Sequence, residues 1–250
     1  MLAQRRYELI MQTLRAEGPV AVTTLGTRLG VSQATVRRDL AWLEGQGLLI
    51  RVRGGAAATT SREPSFAAVA AEAHEAKDAI ARRAAEMVSD GDVLLLDIGT
   101  TVHRLAAHLR GRQVTVMTAN MAVYEELVPD PDIELILLGG VVRRNYRSLV
   151  GFLTEDAVRQ VRADTLFIGT SGVRSDGTVM DTTVVEVPVR RAMIESSDRV
   201  VLLADAEKFP GSGFATVCGP EALGAVVSDV DEGSAALDAF RENGVEVVLV

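Results

Sequence analysis

The sequence is poor in cysteine, and it lacks a long apolar segment. Cys218 is the single cysteine, so no disulfide can form within the chain, and this fits a cytosolic protein. No apolar run approaches the length of a membrane span, and the residues from Met1 to Arg6 show no signal-peptide pattern. The three histidines are scattered, and no Cys/His spacing fits zinc. We therefore expect a cytoplasmic protein with no membrane partner, no metal and no cofactor.

The net charge of −8 is unevenly distributed along the 250 residues. Residues 1–58 contain eight arginines and four acidic residues, a charge of +4, whereas the remainder contains 18 basic and 30 acidic residues, a charge of −12. A polyanion would be repelled by the whole chain but not by its N-terminal segment. The split predicts two domains with different functions.

The N-terminal segment has the signals of a helix-turn-helix. Apolar spacing predicts a helix from about residue 3 to 17, followed by a second short helix that begins near Thr23 and ends at Gly30. Ser32 occupies the N-cap position of a third helix. The apolar stripe of that helix is formed by Val36, Leu40 and Leu43. The polar residues beside the stripe face outward, so this helix can enter the major groove of DNA. The carboxylate of Asp39 would be repelled by a polyanion, so we expect it to pair with an arginine.

The stretch "GLLIRVRGGA" predicts a β-hairpin after the third helix. Residues 48–52 are β-rich, and Gly54-Gly55 is a typical hairpin turn. Arg51 and Arg53 lie on the same side of the strand, because strand side chains repeat every two residues. They would form a basic wing that contacts phosphates.

The remainder of the chain alternates strand and helix signals after a linker at residues 57–65. An alanine-rich helix is predicted from Phe66 to Ser89. The predicted strands are Val93–Asp97, Val114–Thr118, Ile133–Leu138, Thr165–Gly169, Val200–Ala204, Ala225–Ser228 and Val245–Leu249. The predicted helices are Val102–Arg110, Met121–Val128, Leu153–Val161, Val185–Ser196 and Ser234–Asn243. This alternation predicts an α/β domain with a parallel sheet.

The turn after the first of these strands suits a phosphate. Gly99 allows close approach of the backbone, Thr100 and Thr101 add hydroxyl groups, and the following helix offers free amides. The chain has two lysines, and one of them, Lys208, also follows a strand. A compact ammonium there could neutralise a phosphate, although a surface lysine paired with Asp205 is the alternative.

The stretch "LGVSQATVRRDLAWLEGQGLLIRVRGGA" closely resembles the N-terminal domain of the DeoR family of bacterial sugar-metabolism repressors. The resemblance continues in "LLLDIGTT", "LVGFLTEDAV" and "DTLFIGTSGVRSDGTVMD". It implies that the third helix reads operator DNA, through Ser32, Gln33, Thr35, Arg37 and Arg38, with the wing at Arg51 and Arg53. It also implies an effector site formed by Asp97, Gly99, Thr100, Thr101, Asn120, Gly169, Gly172, Glu186 and Lys208. Ala119 separates Thr118 from Asn120, whereas many members of the family have Thr and Asn adjacent.

The resemblance implies a winged helix-turn-helix domain at 1–57, a linker and the start of a connecting helix at 58–72, and an effector-sensing α/β domain at 73–250. The second domain would be related in fold to ribose-5-phosphate isomerase. The expected protein is a DNA-binding regulator that represses an operon for sugar or sugar-alcohol metabolism. Its partners would be double-stranded operator DNA and a phosphorylated sugar.

Two alternatives to a regulator are a phosphosugar isomerase and a purely structural module. A phosphosugar isomerase needs a base that moves a proton between carbons. The corresponding turn, Gly169 to Gly172, contains no acid, and Glu186 has no visible partner for such chemistry, so we expect no enzyme. A purely structural module would use the sheet for oligomerisation. That role is compatible with an effector pocket, and we expect a homo-oligomer, either a dimer or a tetramer.

Overall fold

The computed structural model describes residues 6, 7, 9–11, 13, 14, 20–45, 49–52, 54–58 and 65–250. The chain divides into two compact units, an N-terminal unit (Met1–Glu63) and a C-terminal unit (Pro64–Val250). The change from one unit to the other falls inside the stretch in which the sequence predicts a linker. Most of that stretch, like Arg53, lies outside the described residues.

The N-terminal unit contains the predicted helix-turn-helix. The described residues between 6 and 14 are helical, and two helices follow, α1 (Val22–Leu29) and α2 (Gln33–Gly45). Gly30 ends α1 in the left-handed conformation with φ 65°, which glycine adopts without strain. The predicted stripe is confirmed, because the following residues are almost fully buried: Val36, Leu40 and Leu43. They pack in one cluster with residues of the first helical segment and of α1.

A three-stranded antiparallel sheet forms the wing. Its strands are β1 (Val20–Ala21), β2 (Leu49–Val52) and β3 (Gly55–Ala58), in the order β1-β3-β2. Val52 pairs with Gly55, so the predicted hairpin is confirmed, although Gly55 lies in β3 and not in the turn. Gly54 has φ 83°, and a Cβ on Gly55 would lie 2.3 Å from the carbonyl oxygen of Val20. Both glycines are therefore required for the turn and for the pairing with β1.

A seven-stranded parallel sheet forms the centre of the C-terminal unit, and its strands are the seven that the sequence predicts. They are β4 (Val93–Leu96), β5 (Thr115–Thr118), β6 (Glu134–Leu137), β9 (Ala163–Ile168), β12 (Ser197–Ala204), β14 (Ala225–Ser228) and β15 (Glu246–Leu249). The order is β15-β14-β12-β9-β4-β5-β6. The chain runs outward in one direction from β4 and in the other from β9. The carboxyl ends of these two strands therefore flank the switch point at which such sheets bind ligands.

Helices cover the sheet and enclose two apolar clusters, one on each face. The helices are α3 (Phe66–Ala71), α4 (His74–Ala85), α5 (Thr100–His108), α6 (Met121–Leu127), α7 (Phe152–Arg159), α8 (Val187–Glu195) and α9 (Ala235–Glu242). The prediction of one helix from Phe66 to Ser89 is wrong. The chain breaks between α3 and α4, where Ala73 has φ 45°. Alanine-rich composition favours helix throughout this stretch, and no local signal marks the break.

Two small antiparallel elements were not predicted. Strands β7 (Val141–Arg143) and β8 (Ser148–Val150) form a hairpin, and β10 (Gly172–Val173), β11 (Val179–Asp181) and β13 (Ala215–Cys218) form a three-stranded sheet. Short 3-10 turns lie at Ala206–Lys208 and Pro220–Ala222. These elements are important for the site, because they bring side chains from distant parts of the chain to the carboxyl edge of the large sheet.

Candidate DNA-binding and effector sites

Helix α2 presents a polar surface that is suited to DNA. Ser32 caps the helix, since its Oγ accepts a hydrogen bond from the amide of Thr35 at 3.2 Å. Gln33, Arg37 and Arg38 are exposed on the side opposite the buried stripe. The expected DNA-facing residues of α2 thus share one solvent-exposed face. Residues Arg37 and Arg38 supply its positive charge.

Asp39 directly follows these two arginines in the chain, and it pairs with an arginine, as the sequence predicts. Arg6 donates two hydrogen bonds to its carboxylate, from Nε at 2.7 Å and from Nη2 at 2.9 Å. Asp39 is buried, and the carboxylate raises the pKa of Arg6. The pair neutralises a charge that DNA would repel, and it fixes the first helical segment against α2.

Arg51 lies exposed on β2, and its backbone amide donates to Glu44 Oε1 at 3.3 Å. Its side chain is therefore available to a phosphate at the edge of the wing. The second predicted wing residue, Arg53, lies outside the described residues, so its position relative to Arg51 stays a prediction.

The turn after β4 forms the N-terminus of α5. Gly99 is the N-cap and has no side chain that could bond to the free amides of the first turn. Thr100 and Thr101 occupy the first two positions of the helix and are buried. A Cβ on Gly99 would lie 3.6 Å from Cα of Gly169, so the turns after β4 and β9 touch at the switch point. The predicted residues of this turn are thus brought together around an uncapped helix N-terminus.

Asp97 does not point toward open solvent, because an ion network holds its carboxylate. Oδ2 accepts from the amide of Gly169 at 3.0 Å and lies 3.1 Å from Arg190 Nη2, and Oδ1 accepts from Arg190 Nε at 3.3 Å. The third guanidinium nitrogen, Nη1, donates to Asp181 Oδ2 at 2.6 Å. Burial opposes the charge of Arg190, but the carboxylates of Asp97, Asp181 and Glu186 outweigh it and raise the pKa of the guanidinium. Asp97 therefore positions the Gly169 turn.

Asn120 caps α6 with its side chain. Its Oδ1 accepts from the amide of Ala122 at 2.9 Å and from that of Val123 at 3.4 Å. Its Nδ2 donates to the carbonyl oxygens of Asp97 at 3.2 Å and Gly99 at 3.3 Å. Both hydrogens of the amide nitrogen are thus used within the protein. Asn120 ties the turn after β5 to the turn after β4, so it supports the site without a free donor for a ligand.

Glu186 and Gly172 also make contacts within the protein. Glu186 is buried and forms an ion pair with Arg143 of β7, and its Oε1 accepts from Ser148 Oγ at 2.9 Å. A Cβ on Gly172 would lie 2.5 Å from the carbonyl carbon of Gly211, so close backbone packing requires glycine there. The effector contacts expected from these two residues remain predictions, while the geometry assigns them to the framework around the site.

Three basic side chains form a cation cluster beside α5: Lys77, Arg104 and Lys208. Lys77 is 1% exposed, and its Nζ makes one hydrogen bond to described residues, to the carbonyl of Val69 at 2.6 Å. Burial lowers the pKa of Lys77; the charges of Lys208 and Arg104 lower it further, while Asp205 raises it. Arg104 stands four residues after Thr100, hence on the same face of α5. The cluster therefore lies beside the helix that begins at the phosphate-suited turn.

Two buried polar atoms, one in this cluster and one in the neighbouring Asp205, lack hydrogen-bond partners among the described residues. Arg104 Nε and Asp205 Oδ2 are buried and have no hydrogen-bond partner among the residues that the structure describes. Asp205 precedes the 3-10 turn that carries Lys208, and its Oδ1 accepts from the amide of Glu207 at 3.2 Å. Buried polar atoms without partners are rare, and a bound ligand or water is a common partner for them. The cluster thus has both donors and an acceptor available to a polar anion.

Arg190, Asp181, Arg104 and Asp205 were missed as parts of the site by sequence reasoning. Arg190 was one of many arginines in a helix, and nothing in its neighbourhood indicates burial. Lys77 had one usable signal, since it is one of only two lysines in a chain rich in arginine. No cluster of His, Cys, Asp or Glu side chains that could hold a metal occurs among the described residues. None of the helices in the described part of the chain is long and apolar enough to cross a membrane.

The two units correspond to a DNA-binding domain and a sensor domain. Residues 6–62 match the DeoR-like helix-turn-helix domain, and residues 72–230 match the DeoR C terminal sensor domain. The chain belongs to the DeoR family and is a DNA-binding transcriptional regulator.

The chain is similar along almost its whole length to known repressors. It is 31% identical over 252 residues to the glycerol-3-phosphate regulon repressor of Escherichia coli, with 100% of both chains covered. It is 35% identical over 230 residues to the transcriptional repressor AccR of Agrobacterium fabrum, covering 90% of this chain and 89% of the relative. These relatives are named as regulators, the class that the sequence predicted in preference to an isomerase.

Among solved structures, ribose 5 phosphate isomerase A from Neisseria gonorrhoeae is similar, with 16% sequence identity and a TM-score of 0.37. The match covers 53% of this chain and 52% of that chain. The predicted α/β fold class, with its N-terminal winged helix-turn-helix, is confirmed by the described strands and helices.

Proposed function

We propose that this protein represses an operon for sugar or sugar-alcohol metabolism and that a phosphorylated sugar bound in the C-terminal unit controls it. The functional division we propose is DNA binding by residues 1–57, connection by 58–72 and sensing by 73–250. The name of the Escherichia coli relative, a glycerol-3-phosphate regulon repressor, supports a phosphorylated metabolite as the effector class.

DNA binding is assigned to the exposed face of α2 and to the wing. The residues in this proposal are Ser32, Gln33, Thr35, Arg37, Arg38, Arg51 and Arg53. Arginine and glutamine are side chains that read base edges in the major groove, and arginines on the wing suit phosphates. The pairing of Asp39 with Arg6 supports this assignment, because it neutralises the carboxylate that follows Arg37 and Arg38 in the helix.

The effector site is assigned to the N-terminus of α5 and the cation cluster. The observation that carries this proposal is the buried Lys77, which feels the charges of Lys208 and Arg104, the latter on the helix whose N-terminus is uncapped. Cations beside a helix whose N-terminal amides are free are a favourable setting for a phosphate of charge close to −2. Asp205 Oδ2 is a free acceptor for a hydroxyl group of the sugar. A phosphorylated polyol has both of the groups that this arrangement requires.

A screen of phosphorylated sugars by thermal unfolding tests the effector site. A ligand that binds only the native state stabilises it by about 2.7 kcal/mol at 100 times its Kd, so the cognate compound should raise Tm. In the variant Lys208→Ala with Thr100→Val, the rise should be lost, while binding to an operator selected by the wild type from random DNA should persist without ligand. The effector should change the operator affinity of the wild type about 5- to 150-fold and that of the variant little.

Two controls make the result specific. Lys208→Arg keeps the charge and should keep part of the response, whereas Arg159→Ala removes an exposed arginine on α7 and should leave the response intact. A Lys208→Ala, Thr100→Val variant that responds as strongly as the wild type would place the effector elsewhere.

Self-association is part of the proposal, because a two-fold operator is matched by two copies of the DNA-binding unit. An exposed apolar surface supports it. It extends over the chain from 136 to 153 and includes Leu137, Val141, Val142, Phe152 and Leu153, which are 39–68% exposed. Strand β6, at whose end this 136–153 surface begins, is an edge of the large sheet. Apolar surfaces of this kind are typical of interfaces between subunits.

A further inference from the structure

Helix α3 is the first element of the C-terminal unit, and two members of the cation cluster hold its C-terminal end. Lys77 Nζ donates to the carbonyl of Val69 at 2.6 Å, and Arg104 Nη2 donates to the carbonyl of Ala70 at 3.1 Å. The last carbonyls of a helix have no partners within it, and cations there stabilise it. The two side chains therefore act as the C-terminal caps of α3.

The carbonyl of Val69 also accepts from the amide of Glu72 at 3.3 Å, and the remaining contacts of α3 are few. Ser65 caps its start, accepting from the amide of Ala68 at 3.2 Å, and the amide of Phe66 donates to the carbonyl of Asn145 at 3.0 Å. Phe66 is the one residue of α3 that is buried, with its ring against Tyr146 and His103. A helix of six residues does not persist through its own hydrogen bonds, so α3 depends on these contacts.

The same two cations are required by the effector site. Each of the two cations uses one donor on a carbonyl of α3, and a nearby phosphate would draw the same ammonium and guanidinium groups toward its charged oxygens. A charged acceptor forms the stronger hydrogen bonds. An anion in the site therefore competes with the C-terminal end of α3.

We propose that effector binding withdraws Lys77 and Arg104 from the carbonyls of Val69 and Ala70 and so releases α3. This inference rests on the proposed effector site and adds how the site signals. Seven residues separate the end of β3 from α3, and 15 separate it from α4. Release of α3 thus doubles the chain length between the DNA-binding unit and the first anchored helix. The longer connection reduces the effective concentration of a second DNA-binding unit at its half-site.

Hydrogen exchange of residues 66–72 tests the release without a ligand. Lys77→Met and Arg104→Met each remove one cap, so the amides of 66–72 should exchange at least several-fold faster, and affinity for the selected operator should fall about 5- to 150-fold. Arg104 is only partly buried, so its variant is expected to fold even if Lys77→Met does not. Arg82→Met, on the exposed side of α4, is the matched control and should change neither quantity.

Inorganic phosphate at constant ionic strength separates this inference from the effector site itself. If phosphate raises the Tm of the wild type and accelerates exchange at 66–72, the result supports both the anion site and the release of α3. A raised Tm with unchanged exchange at 66–72 overturns the release of α3 and leaves the anion site intact. Unchanged exchange in both cap variants likewise overturns it. If neither phosphate nor any phosphorylated sugar raises Tm, the effector site and the inference fail together.

Discussion

At the scale of single residues, the buried ion network determines the shape of the effector site. Arg190 is 3% exposed and joins the carboxylates of Asp97 and Asp181, while Asp97 also accepts from the amide of Gly169. One guanidinium therefore connects the turn after β4, the turn after β9 and strand β11. A buried ion pair need not stabilise the fold more than an apolar pair would. Removal of one member, however, leaves an unpaired buried charge and strongly destabilises the native state.

We expect Arg190→Met to destabilise the protein by about 3–5 kcal/mol, because two buried carboxylates lose their counter-charge. Urea unfolding followed by circular dichroism measures the change. Arg199→Met is the matched control, since Arg199 pairs with Glu246 at the surface and its loss should change stability by no more than about 0.5 kcal/mol. Equal stability of the two variants would contradict the role that we assign to Arg190.

At the scale of elements, helix α2 has one face in the core and one face for DNA. Val36, Leu40 and Leu43 bury the first face, and Ser32 fixes the start of the helix. The consequence is that the exposed arginines can be changed with little effect on folding. Their contributions to DNA binding can therefore be measured separately from stability.

Arg37→Ala and Arg38→Ala should each weaken operator binding while Tm stays close to that of the wild type. Each phosphate contact that is lost should reduce the slope of log K against log salt by about one unit, and a lost base contact should instead relax sequence preference. Fluorescence anisotropy across a salt series distinguishes the two. Unchanged affinity and slope in both variants would exclude α2 as the DNA-facing helix. Glu155→Ala, on α7 of the C-terminal unit, is the control and should leave operator affinity and the salt slope unchanged.

At the scale of the whole molecule, the chain separates charge between its units and presents one apolar surface. The +4 of residues 1–58 and the −12 of the remainder keep DNA at the N-terminal unit. The 136–153 surface concentrates large exposed apolar side chains near one edge of the sheet. Burial of this surface between copies would remove it from water and bring two DNA-binding units together.

Phe152→Asp with Val141→Asp should shift the protein toward the monomer, because two charges would have to be buried in the proposed interface. Light scattering after gel filtration gives the mass, and the 26.7 kDa of one chain is the reference. Phe214→Asp is the control, since Phe214 is 65% exposed and lies outside the 136–153 surface. A double variant with the mass of the wild type would show that copies associate through another surface or not at all.

The sequence by itself determined the elements whose signals are local. The seven strands of the large sheet, the cap at Ser32 and the glycine hairpin at 54–55 follow from apolar periodicity, capping and turn chemistry. It also indicated the phosphate-suited turn at Gly99 and the pairing of Asp39 with an arginine. The strands, the cap, the hairpin and the turn depend on residues within a few positions of one another. The pairing of Asp39 follows from the negative charge of its side chain on a helix that is expected to face DNA.

Only the tertiary structure decided which distant side chains meet. Arg190 and Asp97 are 93 positions apart, and they come together because α8 packs against β9, which is the neighbour of β4 in the sheet. The break between α3 and α4 likewise has no local signal, and contacts of Lys77 and Arg104 with the end of α3 accompany it. Asn120 caps α6 and also bonds to the turn after β4, because the sheet places the turn after β5 beside it, while its expected effector contact stays a prediction. Periodicity along a chain carries no information about such pairings, since they depend on strand order and on burial.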